Sequence, residues 1–408
     1  MGNIIDYARE AHEDFFSRPL NAVDSLVLSQ LAYLHFGDSL LAHPDGDAGT
    51  ALRNLVKSAD GAAAFLGIRD SVDNRALVYA IAASPRFKDI RFADYINQVS
   101  KAEEKQFSAV TFLLPDGTNY IAFRGTDSTF VGWKEDFNMS FICPVPAQEE
   151  AVKYVEKAAL RRTGPIYVGG HSKGGNLAAY AAIFCNEKTR ERIRTVFSHD
   201  GPGFLEDVLK LPHYAQMAPR MQKTVPESSV VGMLLEMQEP YEVVKSDRIF
   251  LMQHDPFSWL VEGNGFLCVE TVHSSARFLN RAVHEWLYTL SPPQRMRFVD
   301  TLFSLLGATD AKTIRELLGE PRKNLLYAVS AVKAIDEDTR KFLVATLRSL
   351  FMIGFSTLRT DPNRRVAFWP GALEKFKPTP EMLKKLRLSP GTAEKLRSLP
   401  RAATRRKK

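Results

Sequence analysis

Cysteine is scarce in this sequence. The 408 residues contain three cysteines, Cys143, Cys185 and Cys268, and their wide separation gives neither paired thiols nor the spacing of a metal-ligand motif. An odd number of scattered thiols excludes a disulfide-stapled secreted domain and is typical of a reducing compartment. We therefore expect a cytoplasmic protein that needs no metal or organic cofactor.

The sequence also lacks a long apolar segment. Residues 1–20 carry four carboxylates and no apolar core, so we expect no secretory signal peptide there. The longest apolar candidate, residues 342–358, is interrupted by Arg348 and Gly354. No uncharged run approaches the roughly 20 residues of a transmembrane helix, and we expect no membrane span.

Positive charge is concentrated at one end of the chain. The formal net charge is +7, and residues 361–408 hold 14 Lys or Arg against 4 Asp or Glu, about +10, which leaves about −3 for the first 360 residues. The basicity thus belongs to a tail, residues 359–408, that we expect to be solvated. We expect weak, peripheral contact of this tail with an anionic membrane surface and no specific nucleic-acid recognition.

The first part of the chain predicts helices and then a hairpin. Residues 1–75 have helical apolar spacing, and residues 73–104 predict two further helices. Two strands, 106–114 and 119–124, flank a turn at residues 115–118. We expect these two strands to pair as a β-hairpin.

The middle of the chain alternates between strands and helices. Strands are predicted at 165–168, 194–198, 248–252 and 265–270, and helices at 149–162, 176–184 and 274–290. Residues 205–245 predict an irregular stretch with a short helical piece at 230–237. Alternating strands and helices predict an α/β fold, a mainly parallel sheet with helices on both faces.

The predicted organisation has three parts. Residues 1–290 contain all the predicted strands, together with the N-terminal helices, and we interpret them as the α/β domain. Residues 291–358 predict only helices and form a C-terminal extension without a catalytic constellation. The basic tail, 359–408, completes the chain.

One stretch resembles a nucleophile elbow. Gly170-x-Ser172-x-Gly174 follows an apolar run ending at Val168 and precedes an Ala-rich helix. A serine on such a sharp strand-to-helix turn presents its hydroxyl above the sheet, and flanking glycines leave room for the crossing chain. This context makes Ser172 the candidate nucleophile.

Other polar residues follow predicted strands as well. Gly125-Thr126, Asp200 and His254-Asp255 each come directly after one, and reactive groups collect at the carboxyl ends of parallel strands. An acyl-transfer site also needs donors for the oxyanion. We expect the backbone N–H of Lys173, next to the nucleophile, and that of Thr126, with or without its hydroxyl, to supply them. We expect the Lys173 side chain itself to be solvated.

Longer strings of the sequence resemble a known family. FRGT at residues 123–126, Trp133, Asp136 and GHSKGG at residues 170–175 are similar to class 3 lipases of the α/β-hydrolase fold. The strings GHSKGGNLA, DGPGF and QHDPFSW resemble more closely a lipase-related bacterial family that is labelled a domain of unknown function. Over residues 20–310 this resemblance implies the fold, a serine nucleophile and ester hydrolysis, but no particular substrate.

Two base and acid pairs are compatible with Ser172. In the first, His254 is the base and Asp200 the acid; in the second, His273 is the base and Asp255 the acid. The second follows the usual hydrolase order of acid before histidine, whereas the first uses residues within the family-like strings. We favour His254 with Asp200 and keep the second pair as the alternative.

The sequence as a whole predicts a serine hydrolase that acts on a small-molecule or lipid ester through a Ser-His-Asp triad. One alternative is a catalytically silent hydrolase fold that serves as an interaction module. Another is lipid-surface or nucleic-acid binding through the tail. Oligomeric state does not follow from these patterns.

Overall fold

The computed structural model describes residues 2–37, 49–56, 65, 71–127, 129–307 and 335–359. In chain order the strands are β1 Thr50–Ala51, β2 Arg91–Ser100, β3 Lys105–Leu113, β4 Asn119–Phe123, β5 Ile166–His171, β6 Ile193–His199, β7 Met221–Pro226, β8 Tyr241–Val244, β9 Val261–Glu262, β10 Gly265–Phe266 and β11 Cys268–Val269. The helices are α1 Ile4–Glu10, α2 Ala22–Leu31, α3 Ser71–Ala83, α4 Phe130–Asn138, α5 Pro146–Arg161, α6 Lys173–Phe184, α7 Glu187–Arg192, α8 Glu206–Leu209, α9 Pro212–Met217, α10 Ser274–Thr289, α11 Pro292–Gly307 and α12 Glu337–Arg359.

Within these residues a nine-stranded sheet has the order β1-β2-β3-β4-β5-β6-β7-β8-β11. The central strands β4 to β8 pair in parallel, whereas β1 to β4 and β11 pair antiparallel. Strands β9 and β10 form a separate two-stranded ribbon. The predicted α/β class is confirmed, and the sheet is mixed, with a parallel centre and antiparallel edges.

Two apolar clusters cover the two faces of the sheet. In β4, Tyr120 and Ala122 face the cluster that contains α1, α2 and α3. Ile121 and Phe123 face the cluster that contains α5 and α6. Successive residues of a strand point to opposite faces, so this fully buried strand contributes to both cores.

Strand β2 lies where the sequence predicted a helix. Its pairing with β3 shifts register between Ala93 and Ile96, and Asp94 has a positive φ of 55°. This bulge interrupts the two-residue alternation, so the apolar spacing of the segment imitates that of a helix. Of the two helices predicted over residues 73–104, α3 is present and the second is wrong.

Two segments before His254 also differ from the secondary structure that the sequence predicted. Residues 230–237 are not helical, and residues 248–252 do not form a strand. Instead, Phe250–His254 is a short 3₁₀ helix. The sequence did not predict strands β7 and β8. Strand β8 has only four residues, and β7 contains a buried charged side chain, Lys223, which is 2% exposed.

The C-terminal helices and the α/β domain belong to one compact unit, Met1–Thr357. Trp286, Phe298 and Leu343 belong to one buried cluster, and the partly buried Phe130 and Trp133 of α4 pack against it. The basic tail lies outside the described residues beyond Arg359. None of the described helices combines the length with the apolar composition that a bilayer crossing needs.

Candidate active site

Ser172 occupies the junction between β5 and α6 in a strained conformation. Its φ and ψ angles are 59° and −132°, a region that L-residues rarely adopt. A Cβ atom at Gly170 would lie 2.3 Å from the carbonyl carbon of Gly174, and one at Gly174 would lie 2.1 Å from the Phe123 oxygen. The two glycines therefore allow the close crossing that places the serine at the strand-to-helix turn.

Ser172, His254 and Asp200 form one hydrogen-bonded chain. His254 Nδ1 lies 2.6 Å from Asp200 Oδ2, and His254 Nε2 lies 3.0 Å from Ser172 Oγ. An ionised carboxylate only accepts hydrogen bonds, so Nδ1 carries the proton and Nε2 is left to accept one from the hydroxyl. This geometry can transfer the hydroxyl proton of Ser172 to the imidazole.

Asp200 is held in place from several directions. It is fully buried, and its Oδ1 accepts hydrogen bonds from Ser229 Oγ at 2.5 Å and from the Gly232 backbone N–H at 3.0 Å. A Cβ atom at Gly232 would lie 2.2 Å from the same oxygen. The sequence patterns indicated neither donor. The small residues around Ser229 and Gly232 were a signal for a turn in a stretch predicted to be helical.

His171 supports His254 rather than competing with it. Its Nε2 donates to the backbone oxygen of His254 at 2.8 Å, and its Nδ1 accepts from Tyr33 Oη at 3.2 Å. The two imidazole rings have centroids 4.6 Å apart. His171 therefore fixes the backbone of the residue that contacts Ser172, a role that the sequence did not indicate.

The expected oxyanion donors lie beside the elbow. Lys173 is the first residue of α6, where backbone N–H groups have no partner within the helix. A Cβ atom at Gly125 would lie 3.1 Å from the Ser172 Cβ, so the chain that leads to Thr126 passes close to the serine. The Thr126 hydroxyl donates to Asp136 Oδ2, which leaves the Thr126 backbone N–H as the candidate donor.

The side chain of Lys173 is not solvated as the sequence predicted. It is fully buried, and its Nζ donates to Glu135 Oε2 at 2.8 Å and to two oxygens of Gln106 at 2.9 and 2.8 Å. Glu135 also accepts from the backbone N–H groups of Gln106 and Ala147. The prediction was wrong because the partner carboxylate lies 38 positions away in the chain.

Asp136 adds a titratable group to this network. Burial raises the pKa of its carboxyl to about 6, and the positive charge of Lys173, whose Nζ lies 3.9 Å from Asp136 Oδ1, opposes the rise. The carboxylate ties the Thr126 hydroxyl to helix α4. Ionisation of Asp136 is therefore coupled to the loop that carries the candidate oxyanion donor.

The alternative base and acid do not lie together at the elbow. Asp255 is 2% exposed, pairs with Arg248 and accepts from the Phe257 backbone N–H. The His273 side chain is 59% exposed, with its Nε2 3.1 Å from Glu227 Oε2. Each residue is engaged with a different partner, and the histidine at hydrogen-bonding distance of Ser172 Oγ is His254.

Buried His199 lies near the site but remains structural. Its Nε2 lies 2.9 Å from Ser25 Oγ and its Nδ1 lies 2.7 Å from Thr224 Oγ1. Burial lowers its pKa to about 3, so the ring stays neutral at physiological pH. Across the described residues, no three His, Cys, Asp or Glu side chains are grouped so as to hold a metal ion.

A serine at a strand-to-helix elbow on a mixed sheet with a parallel centre is the architecture of an α/β-hydrolase fold. The sequence profile of the Mbeg1-like family matches residues 81–304, more than half of the chain. The chain therefore belongs to the Mbeg1-like family. No curated protein has a significant sequence match to it.

Solved lipases show similarity at low identity. The Rhizomucor miehei lipase–propeptide complex is 17% identical over 40% of this chain and 58% of its own, with a TM-score of 0.30. Lip2 lipase from Yarrowia lipolytica is 15% identical over 46% and 76%, with a TM-score of 0.30. A triacylglycerol lipase whose catalytic centre is a serine-protease triad is 15% identical over 48% and 77%, with a TM-score of 0.31. The chain thus spans less than two thirds of the Rhizomucor protein.

Proposed function

We propose that this chain is a serine hydrolase that cleaves a carboxylic ester. Ser172 is the nucleophile, His254 the general base and Asp200 the acid that orients the imidazole. The hydrogen-bonded chain from Asp200 Oδ2 through His254 to Ser172 Oγ carries the proposal. Its three members come from separate segments, and a structural role alone does not require a strained serine at an elbow.

Acylation follows from this geometry. Ser172 Oγ attacks the ester carbonyl carbon while its proton moves to His254 Nε2. The backbone N–H groups of Thr126 and Lys173 stabilise the negative charge that develops on the carbonyl oxygen. When the tetrahedral intermediate collapses, the bond to the alkoxy oxygen breaks, and His254 returns the proton to the departing alcohol.

Deacylation repeats the sequence with water. A water molecule attacks the acyl-enzyme carbonyl while His254 Nε2 takes its proton, and the same two N–H groups stabilise the second oxyanion. Collapse releases the carboxylic acid and returns the proton to Ser172 Oγ. Asp200, held by Ser229 and Gly232, keeps the imidazole in the required orientation through both steps.

Several features of the expected biology remain predictions. The substrate is a small-molecule or lipid ester, and the scattered cysteines predict a cytoplasmic location. Contact of the basic tail with anionic membranes is predicted from its charge, and salt should weaken it strongly. The likeness to the lipase-related bacterial family also stands as a prediction.

Hydrolysis of nitrophenyl esters of graded acyl length tests the proposal. The wild type should hydrolyse at least one ester, and Ser172→Ala should reduce turnover by about 10⁴-fold or more. Ser140→Ala is the control, because Ser140 Oγ donates to the Phe137 carbonyl at the protein surface. If folded wild type hydrolyses none of the esters, a catalytically silent interaction module becomes the better explanation.

A further inference from the structure

Three apolar side chains are exposed immediately before His254. Ile249 is 62% exposed, Phe250 51% and Met252 56%. We refer to these three residues as the apolar loop. Large apolar side chains scattered singly on a surface are common, but several within four residues form a patch, and such patches mark binding surfaces.

Hydrogen bonds of neighbouring residues support the apolar loop. Gln253 donates from Nε2 to the Arg248 carbonyl at 2.8 Å, and its Oε1 accepts from the Ser228 backbone N–H at 2.6 Å. The indole of Trp259 donates to the Gln253 carbonyl at 2.8 Å. Phe250 itself has a positive φ of 52°, which is strained for an aromatic residue. The surrounding structure thus holds Phe250 in a strained backbone conformation between the exposed Ile249 and Met252.

The apolar loop lies beside the proposed catalytic histidine. Met252 and His254 are two positions apart in a short 3₁₀ helix, so their Cα atoms are separated by at most about 7.6 Å. The His254 side chain is 17% exposed and reaches Ser172 through Nε2. A surface that engages the apolar loop would therefore meet the enzyme next to its imidazole.

Charge and size indicate what the loop contacts. Arg248 is paired with Asp255, and the exposed Lys245 and Asp247 have opposite signs, so the loop has no excess charge for an ionic partner. Three side chains are also far fewer than the roughly 20 residues per side of a stable protein interface. They are sufficient for shallow, reversible insertion among lipid chains.

We propose that the apolar loop inserts into the surface of a lipid aggregate and places the active site against it. The part of this inference that concerns substrate rests on the proposed function: the ester is taken from the lipid phase rather than from solution. Binding through this loop is hydrophobic, so high salt does not weaken it, in contrast to attraction by the basic tail.

Co-sedimentation with phosphatidylcholine vesicles at high salt tests the insertion. The full chain carries Ser172→Ala, so that no lipid is consumed and the result is independent of catalysis. The triple change Ile249→Ser, Phe250→Asn and Met252→Gln should weaken binding at least about tenfold, because it removes apolar area that lipid would bury. Asparagine is chosen at position 250 because it tolerates positive φ. Phe16→Ser, which changes a 70% exposed phenylalanine elsewhere, should bind as the parent does.

A fluorescence measurement covers the case in which the triple variant folds poorly. In Phe250→Trp, also with Ser172→Ala, vesicles should shift the indole emission to shorter wavelength, and in Phe16→Trp they should not. Equal binding of parent and triple variant, absence of vesicle binding, or an unshifted Phe250→Trp spectrum would overturn the proposal. So would self-association of the parent that the triple change abolishes without vesicle binding. Since both assays work without turnover, they can succeed or fail separately from ester hydrolysis.

Discussion

The imidazole Nε2 of His254 lies 3.0 Å from the hydroxyl oxygen of Ser172, although 82 positions separate the two residues in the chain. The serine is fixed by the glycine-lined elbow, and the histidine by the His171 hydrogen bond to its carbonyl oxygen. The residue next to Ser172 thus anchors the segment that carries His254, and the two side chains meet at hydrogen-bonding distance. Proton transfer between them would need no rearrangement of the backbone.

Removing the charge of Asp200 should reduce turnover while leaving the fold intact. Asp200→Asn retains the size of the side chain but places an amide against His254, which favours the wrong imidazole tautomer, and kcat should fall by about 10⁴-fold. Asp255→Asn is the matched control, because Asp255 pairs with Arg248. Ester kinetics with both variants check this, and equal losses of kcat would contradict the assignment.

Replacement of His254 and replacement of His273 should have very different effects on the kcat of ester hydrolysis. His254→Ala removes the group that contacts Ser172 Oγ, and we expect kcat to fall by about 10³- to 10⁵-fold. His273→Ala removes an exposed ring that contacts Glu227, and its kcat should stay within about twofold of wild type. A larger loss for His273→Ala would instead favour the pair His273 and Asp255.

Local patterns in the sequence predicted the centre of the site better than its surroundings. The elbow around Ser172 is recognisable because its glycines and flanking elements are contiguous in sequence. His254 was selected although its segment was predicted as a strand and is a 3₁₀ helix. Its position after a predicted strand is therefore not a valid reason for the choice, and the family-like string QHDPFSW remains as the sequence signal for this residue.

Long-range contacts explain most of what the sequence did not predict. The burial of Lys173 depends on Glu135, and the orientation of Asp200 depends on Ser229 and Gly232, 29 and 32 positions away. Strand β2 was missed because its bulge at Asp94 breaks the alternating pattern. Periodicity reports which face of an element is buried, but it does not report which distant partner satisfies a buried charge.

Breaking the buried ion pair beneath the elbow should destabilise the protein. Lys173→Met leaves the fully buried Glu135 without its cation, and Glu135→Gln leaves Lys173 with only the more distant Asp136 carboxyl, 3.9 Å away. Each change should lower the free energy of unfolding by about 3–5 kcal/mol. The double variant should be less destabilised than the sum of the single changes. Denaturant unfolding measures this cycle, and additive losses would show that the pair is not coupled. Lys210→Met, at an exposed pair with Glu206, is the control and should leave stability unchanged.

Asp136 should make stability depend on pH. Burial raises the pKa of its carboxyl to about 6 from 3.8, so between these values the folded state binds more protons than the unfolded state. The free energy of unfolding therefore falls as pH rises through this window, by about 3 kcal/mol from this group alone. The variant Asp136→Asn has no carboxyl group at this position, so this contribution to the pH dependence of its stability should be absent.

Unfolding of wild type and Asp136→Asn, measured from about pH 4 to about pH 7, checks this. The stability of the wild type relative to the variant should fall across this range. Asp207→Asn, where the native side chain is 96% exposed, is the control and should follow the wild type. A constant difference between wild type and Asp136→Asn across the range would be inconsistent with a raised pKa.

Labelling with a fluorophosphonate probe tests the central claim most directly, because the probe needs an activated serine but no knowledge of the substrate. We predict a single covalent adduct that mass spectrometry assigns to Ser172, absent from Ser172→Ala and strongly slowed in His254→Ala. Folded wild-type protein that remains unlabelled, or that is labelled equally well in His254→Ala, would contradict the proposed catalytic role of this pair.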